Sequence, residues 1–116
     1  MMSCLGEFGP VMAAEGGTAF RVMTEEELAG ARLGQYADGP YMNPSDYGKK
    51  FVWGSKEQAE GWKAVLEEGR DVPHVITEIP TKNPLSTYKV FDHGSRPSGP
   101  AYLVPFEDLG PATPIR

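Results

Sequence analysis

Apolar and polar positions alternate at two periods along this chain, and the switches between the periods mark its elements. At residues 18–23, "TAFRVM" alternates every second residue, with Phe20 and Val22 on one face and Arg21 on the other, which predicts a strand. Thr24-Glu25-Glu26-Glu27 reads as a capping box with three acids in the first turn of a helix, where the positive end of the helix dipole favours them. That helix is expected to end near Leu33-Gly34, since glycine suits the left-handed cap. Residues 50–53 predict a second strand. Ser55-x-x-Gln58 is another capping box and opens the strongest helix, with Ala59, Trp62, Val65 and Leu66 on one face and Gly69 at its end. In residues 74–80, His74, Ile76 and Glu78 alternate with Val75, Thr77 and Ile79, a third strand that Pro80 and Pro84 should break. Residues 87–91 and 101–105 add two short strands, the last followed by a single turn. The order β-α-β-α-β-β-β predicts an α+β domain.

Between these elements, residues 34–48 form a long Gly-, Pro-, Asn- and Asp-rich loop carrying Tyr36, Tyr41 and Tyr47. Loops of this length inside a compact domain are usually functional. Residues 1–17, ending in Glu15-Gly16-Gly17, read as a leader or linker, residues 18–110 as the ordered domain, and residues 111–116 as a frayed tail.

Composition narrows the picture. A chain of 116 residues that is 40% hydrophobic can build one core without covalent staples. Its single cysteine, Cys4, excludes an internal disulfide framework and a cysteine-based zinc cluster, and no activating neighbour stands beside it. A net charge of −5 argues against a general nucleic-acid coat but leaves room for a local basic pocket. No apolar run is long enough to span a membrane, and the first residues lack the basic start and continuous apolar stretch of a secretory signal.

An arginine projecting from a core strand is costly unless it meets an anion. Arg21 therefore either pairs with an internal acid, Glu25, Glu78 or another, or holds a ligand's phosphate or carboxylate bidentately. Lys49 and Lys50 are either solvated charges that guard an edge strand or a second anion contact facing Arg21. The loop tyrosines either cover a planar ring or anchor the loop. Trp53 and Trp62 are expected in the core. Glu78 and Glu107 are candidate catalytic carboxylates, or ordinary surface acids. His74 and His93 are too isolated for metal ligands. No His-x-x-x-His, Cys-x-x-Cys, P-loop, dinucleotide fingerprint or Gly-x-Ser-x-Gly occurs, so no metal centre is expected.

The succession "FRVMTEEELA", a Gly/Pro loop, "KKFVWGSKEQAEGW", "VITEIPT" and "GPAYLVPFEDL" resembles the ADP-ribosyltransferase-like C-terminal toxin domains of bacterial Rhs/YD-repeat polymorphic toxins, in particular the TreTu kind. The resemblance spans roughly residues 18–110 and rests on short pieces. It implies a split, mainly antiparallel β-sheet core with two principal helices. It implies NAD as cofactor, gripped by Arg21 on the first strand, with Tyr41, Tyr47, Lys50, Phe51 and Ser55 lining the cofactor site. Of the Ser-Thr-Ser-like element that supports the nicotinamide ribose in such enzymes, only Ser55 is present. It further implies mono-ADP-ribosylation of a bacterial target, elongation factor Tu among the candidates. A cognate immunity protein, delivery within a larger secreted toxin and action in the target-cell cytoplasm follow from the same resemblance. The family's late-strand glutamate falls at Ala101 here, which leaves Glu78 and Glu107 as the candidates for its role.

That chemistry asks the protein to hold a diphosphate, clamp the nicotinamide and place a carboxylate near the ribose hydroxyls and the acceptor. Two other classes stay open. One is a metal-free toxin ribonuclease using His74, His93, Lys89 and Tyr88 as an acid–base set. The other is a non-enzymatic immunity or adaptor module, whose acidic charge suits a basic partner. The transferase reading requires the Arg21 guanidinium to face a cleft and not to be tied permanently to a neighbouring acid.

Overall fold

The computed structural model describes residues 16–39, 42–68, 72–91 and 99–115. It is an α+β fold of two helices and two small antiparallel sheets. The first sheet has the order β1 (Gly17–Met23), β3 (Val75–Thr81), β6 (Thr113–Ile115). The second has the order β2 (Lys49–Val52), β5 (Ala101–Pro105), β4 (Lys89–Phe91). Helix α1 (Glu25–Ala31) follows β1, and helix α2 (Lys56–Glu67) follows β2.

Both helices begin where their sequences dictate. Thr24 accepts a hydrogen bond from the Glu27 backbone N–H, and Ser55 accepts one from that of Gln58. Past α1 the chain turns at Gly34, whose φ of 77° is the left-handed conformation that glycine adopts without penalty. The α1 helix itself stops three residues earlier, at Ala31.

The alternation of β1 sorts its side chains between two cores. Val22 joins Ile76 and Ala59 of α2, with Phe20, Trp62 and Leu66 packed alongside, so α2 covers one face of the first sheet. Ala19 and Met23 face the other way, into the main core with Leu28, Val52, Ile79 and Val104. Arg21 lies between Ala19 and Met23 on that second face, where the period of a strand puts it.

The two sheets are joined at one residue pair. Phe20 and Trp53 exchange backbone hydrogen bonds, 2.8 Å from Phe20 N to Trp53 O and 2.7 Å back. Beyond that pair β1 and β2 diverge, and a wedge opens between them.

Several expectations are revised. Residues 111–116 do not fray as far as they are described: Thr113–Ile115 pairs with Ile76–Glu78, and the Ala112 N–H bonds to the Ala31 carbonyl at 2.8 Å. Pro114 is tolerated because β6 is an edge strand. Pro80 does not break β3, which runs to Thr81. Proline lacks only the donor, and the Pro80 carbonyl still accepts from the Gly110 N–H at 2.9 Å. That approach leaves no room for a side chain, since a Cβ on Gly110 would lie 2.8 Å from the Pro80 ring. The strand expected over 87–91 is shorter, because Leu85–Thr87 forms a 3-10 turn. Cys4, Tyr41, Gly69 and His93 lie outside the described residues.

Ile79 is fully buried in the main core. Ile79→Ala is expected to cost about 2–5 kcal/mol, read as a lower urea midpoint at unchanged slope.

Candidate functional site

The wedge between the sheets is occupied by charge. Phe51 lies two residues before Trp53, so its carbonyl points to the same strand edge, at a place where β1 has already moved away. Arg21 fills the gap: its Nη1 donates to the Phe51 carbonyl at 2.7 Å. The rest of the guanidinium turns to α1. Nε donates to Glu27 Oε2 at 2.6 Å and Nη2 to Glu27 Oε1 at 3.2 Å, a bidentate pair. Lys50 reaches the same carboxylate from β2, with Nζ 3.6 Å from Glu27 Oε2. The three side chains are 16% (Arg21), 24% (Glu27) and 5% (Lys50) exposed.

A buried lysine and a part-buried arginine thus share one carboxylate. Burial alone would raise the pKa of Glu27, but the Arg21 guanidinium, helped by Lys50, outweighs it and holds the carboxyl below its ordinary range. Lys50 is lowered, first by burial and then by the neighbouring guanidinium, with Glu27 pulling the other way. Among these three groups one positive charge is left over, and Asp38 of the long loop acts on Lys50 as a second, weaker anion.

A cleft of about 380 Å³ opens over this cluster, within the size range of small-molecule sites. Arg21, Glu27 and Lys50 supply its charge, and Phe51, Trp53 and Trp62 its aromatic surface. The two indoles stack with centroids 5.5 Å apart. Met42 from the long loop and His74 complete the lining that bears on function.

The structure chooses between the alternatives open for Arg21. It pairs with an internal acid, and that acid is Glu27, which the capping-box pattern assigned only to the helix start. The guanidinium is therefore not a vacant anion fork. Lys50 is 4% exposed, so it is not a solvated guard, and β2 is not an open edge, having β5 on one side and the Trp53 bridge on the other. Phe51 does line the cleft, and its ring meets that of Phe91 with centroids 5.1 Å apart.

The remaining candidates lie elsewhere. Ser55 caps α2 and does not line the cleft. Tyr47 is 54% exposed at the end of the 3-10 turn Pro44–Asp46. Tyr36 is a loop anchor: its hydroxyl donates to the Gly110 carbonyl at 2.6 Å, and burial pushes its pKa up to about 12. Glu78 is exposed on β3, and Glu107 lies in the 3-10 turn Phe106–Asp108 against a second cleft, near Gly17 and Lys82. Neither shares a cleft with Arg21; Glu27 is the carboxylate that does. Of the ribonuclease set, His74 lines the cleft, whereas the Tyr88 hydroxyl donates to Asp108 at 3.1 Å and Lys89 sits exposed on β4.

Among the described residues no cluster of His, Cys, Asp or Glu suits a metal ion, and no helix is long and apolar enough to cross a membrane. Comparisons with family models, with curated proteins and with solved structures find no match.

Because its folded pKa is depressed, Glu27 contributes stability that is present above its unfolded value near 4.5 and is lost as pH falls through the folded value. Wild type should therefore lose more stability below pH 4.5 than Glu27→Gln does. At neutral pH Glu27→Gln should be the weaker protein by about 3 kcal/mol, since it leaves the buried Lys50 and the part-buried Arg21 without their carboxylate. Urea titrations across pH check both.

Proposed function

We propose that this chain is an NAD-dependent ADP-ribosyltransferase-like domain and that the Arg21 cleft is its dinucleotide site. The observation that carries the reading is the composition of that cleft: a buried lysine and a part-buried arginine over one carboxylate, beside an aromatic surface. The surplus positive charge suits a diphosphate, and the indole and phenyl faces suit a planar ring. Further support comes from the two antiparallel sheets, which part between β1 and β2, with two helices beside them. A split core with two helices is what the resemblance of the sequence to polymorphic-toxin domains implies.

In this reading the phosphates take Arg21 and Lys50 in place of Glu27. The freed Glu27 carboxylate then becomes the group available to the ribose hydroxyls as positive charge builds at the anomeric carbon. NAD supplies the leaving group, nicotinamide, and the chain supplies orientation and electrostatics. A bacterial acceptor, with elongation factor Tu as the candidate protein, a cognate immunity protein and delivery within a larger toxin belong to the same proposal.

The bidentate hold of Glu27 on Arg21 favours a second reading, a binding module without catalysis, because a guanidinium satisfied within the fold needs no ligand. Release of nicotinamide from NAD separates the two. The transferase reading expects wild type to release it. It expects the triple variant Arg21→Met/Glu27→Leu/Lys50→Met to fold with near-wild-type stability, since all three charges of the cluster are replaced together, and to lose the activity by at least about 100-fold. Absence of release by wild type, or full activity in the triple variant, contradicts it.

A further inference from the structure

The Lys50 amine is the least satisfied member of the charged cluster. Its side chain is 5% exposed, yet among the described residues its one ion-pair contact is Glu27 Oε2 at 3.6 Å, longer than a hydrogen bond. Arg21 holds that same oxygen at 2.6 Å. The donors of Lys50 thus stand beside a carboxylate already taken by a stronger partner. Lys50 is also reached from two sides. It lines the Arg21 cleft and a neighbouring cleft of about 570 Å³, which it shares with Glu27 and Asp38.

These surroundings favour a free amine. Burial disfavours the ammonium and the Arg21 cation repels it, so the Lys50 pKa is lowered, with Glu27 and the weaker Asp38 opposing the shift. Burial beside a second cation is a recognised way to make a lysine nucleophilic toward a carbonyl carbon. An imine would also change the charge balance of the wedge. It replaces the ammonium by a neutral nitrogen and leaves Arg21 and Glu27 as a matched bidentate pair. Phe51, Trp53 and Trp62 line the same cleft and offer their faces to a ring.

We propose that Lys50 is a covalent capture site for an aromatic aldehyde, whose carbonyl carbon bonds to Nζ while its ring lies against the aromatic wall of the cleft. The Nζ lone pair forms the C–N bond, and the carbonyl π pair moves to oxygen. One amine proton passes to that oxygen, giving a carbinolamine. The other leaves with the hydroxyl as water when the C–O bond breaks and the imine forms. Glu27 Oε2, 3.6 Å from Nζ, is placed to carry both protons. The capture goes beyond the dinucleotide reading and does not rest on it.

Reductive trapping tests the assignment. The intact chain is incubated with benzaldehyde and cyanoborohydride, which reduces each imine to a stable benzylamine, and mass spectrometry of peptides locates the label. Lys49 is the internal reference, being the preceding residue of β2 and only half-buried. Lys50 should gain label at least about tenfold faster than Lys49, a preference of about 1.4 kcal/mol. In unfolding concentrations of urea the two should label alike. Acetaldehyde, which has no ring, should show a preference at least about threefold smaller. Lys50→Met should lose the fast phase and leave the labelling of Lys49 unchanged. Equal labelling of Lys49 and Lys50 in the folded wild type overturns the proposal, and so does a preference that acetaldehyde shows in full. Either result leaves nicotinamide release untouched, so the dinucleotide reading stands or falls separately.

Discussion

The structure turns on an ion cluster that spans three elements. Arg21 on β1 and Lys50 on β2 meet over Glu27 on α1, and Arg21 also takes the Phe51 carbonyl that the diverging strands would leave unpaired. Removing Glu27 strands two cations in a poorly solvated place, whereas removing either cation leaves the other paired with Glu27. Yet such clusters seldom stabilise a fold more than apolar groups of the same volume would, because desolvation offsets most of the Coulombic gain. Stability therefore accounts poorly for three ionised side chains in this wedge. The proposed function, which needs surplus positive charge at the cleft floor, would account for them.

The opening of the sheet makes room for that requirement. Continued pairing of β1 with β2 would have closed the wedge and left the cations no cleft to face. A single bridge, Phe20 with Trp53, holds the two sheets in register, and the guanidinium then spans the gap beyond it. Trp53 thus has two duties, packing at the seam and presenting a stacked indole to the cleft with Trp62. Polar recognition and aromatic surface come from residues held by two sheets and two helices, so the site is built on the rigid part of the molecule. The long loop adds Met42 and Gly39 to its rim.

Much of the architecture was legible in the chain. Two capping boxes, the alternation around Arg21 and the apolar face of α2 describe elements that form as read. The cost of an arginine inside a strand also singled out Arg21 correctly as a residue that needs an anion. Its partner was harder to see. Glu27 sits at the N3 position of a capping box, where glutamate usually reaches back to the helix cap, and local pattern alone could not show it diverted to a strand six residues earlier. The burial of Lys50 was hidden for a related reason: a lysine pair reads as surface until the topology places one of the two on the core face. β6 escaped notice because its pairing with β3 is long-range and its central Pro114 argues against a strand. Glu78 and Glu107 were chosen by chain position, whereas membership of the cleft depends on which strand faces which.

The central claim is that Glu27 holds the place of an anionic ligand on Arg21 and Lys50. A crystal structure of the chain soaked with NAD tests it most directly. The account predicts diphosphate oxygens about 3 Å from the guanidinium and from Lys50, with the Glu27 carboxylate moved off Arg21. An unaltered Arg21–Glu27 pair beneath a cleft that holds no dinucleotide would contradict it.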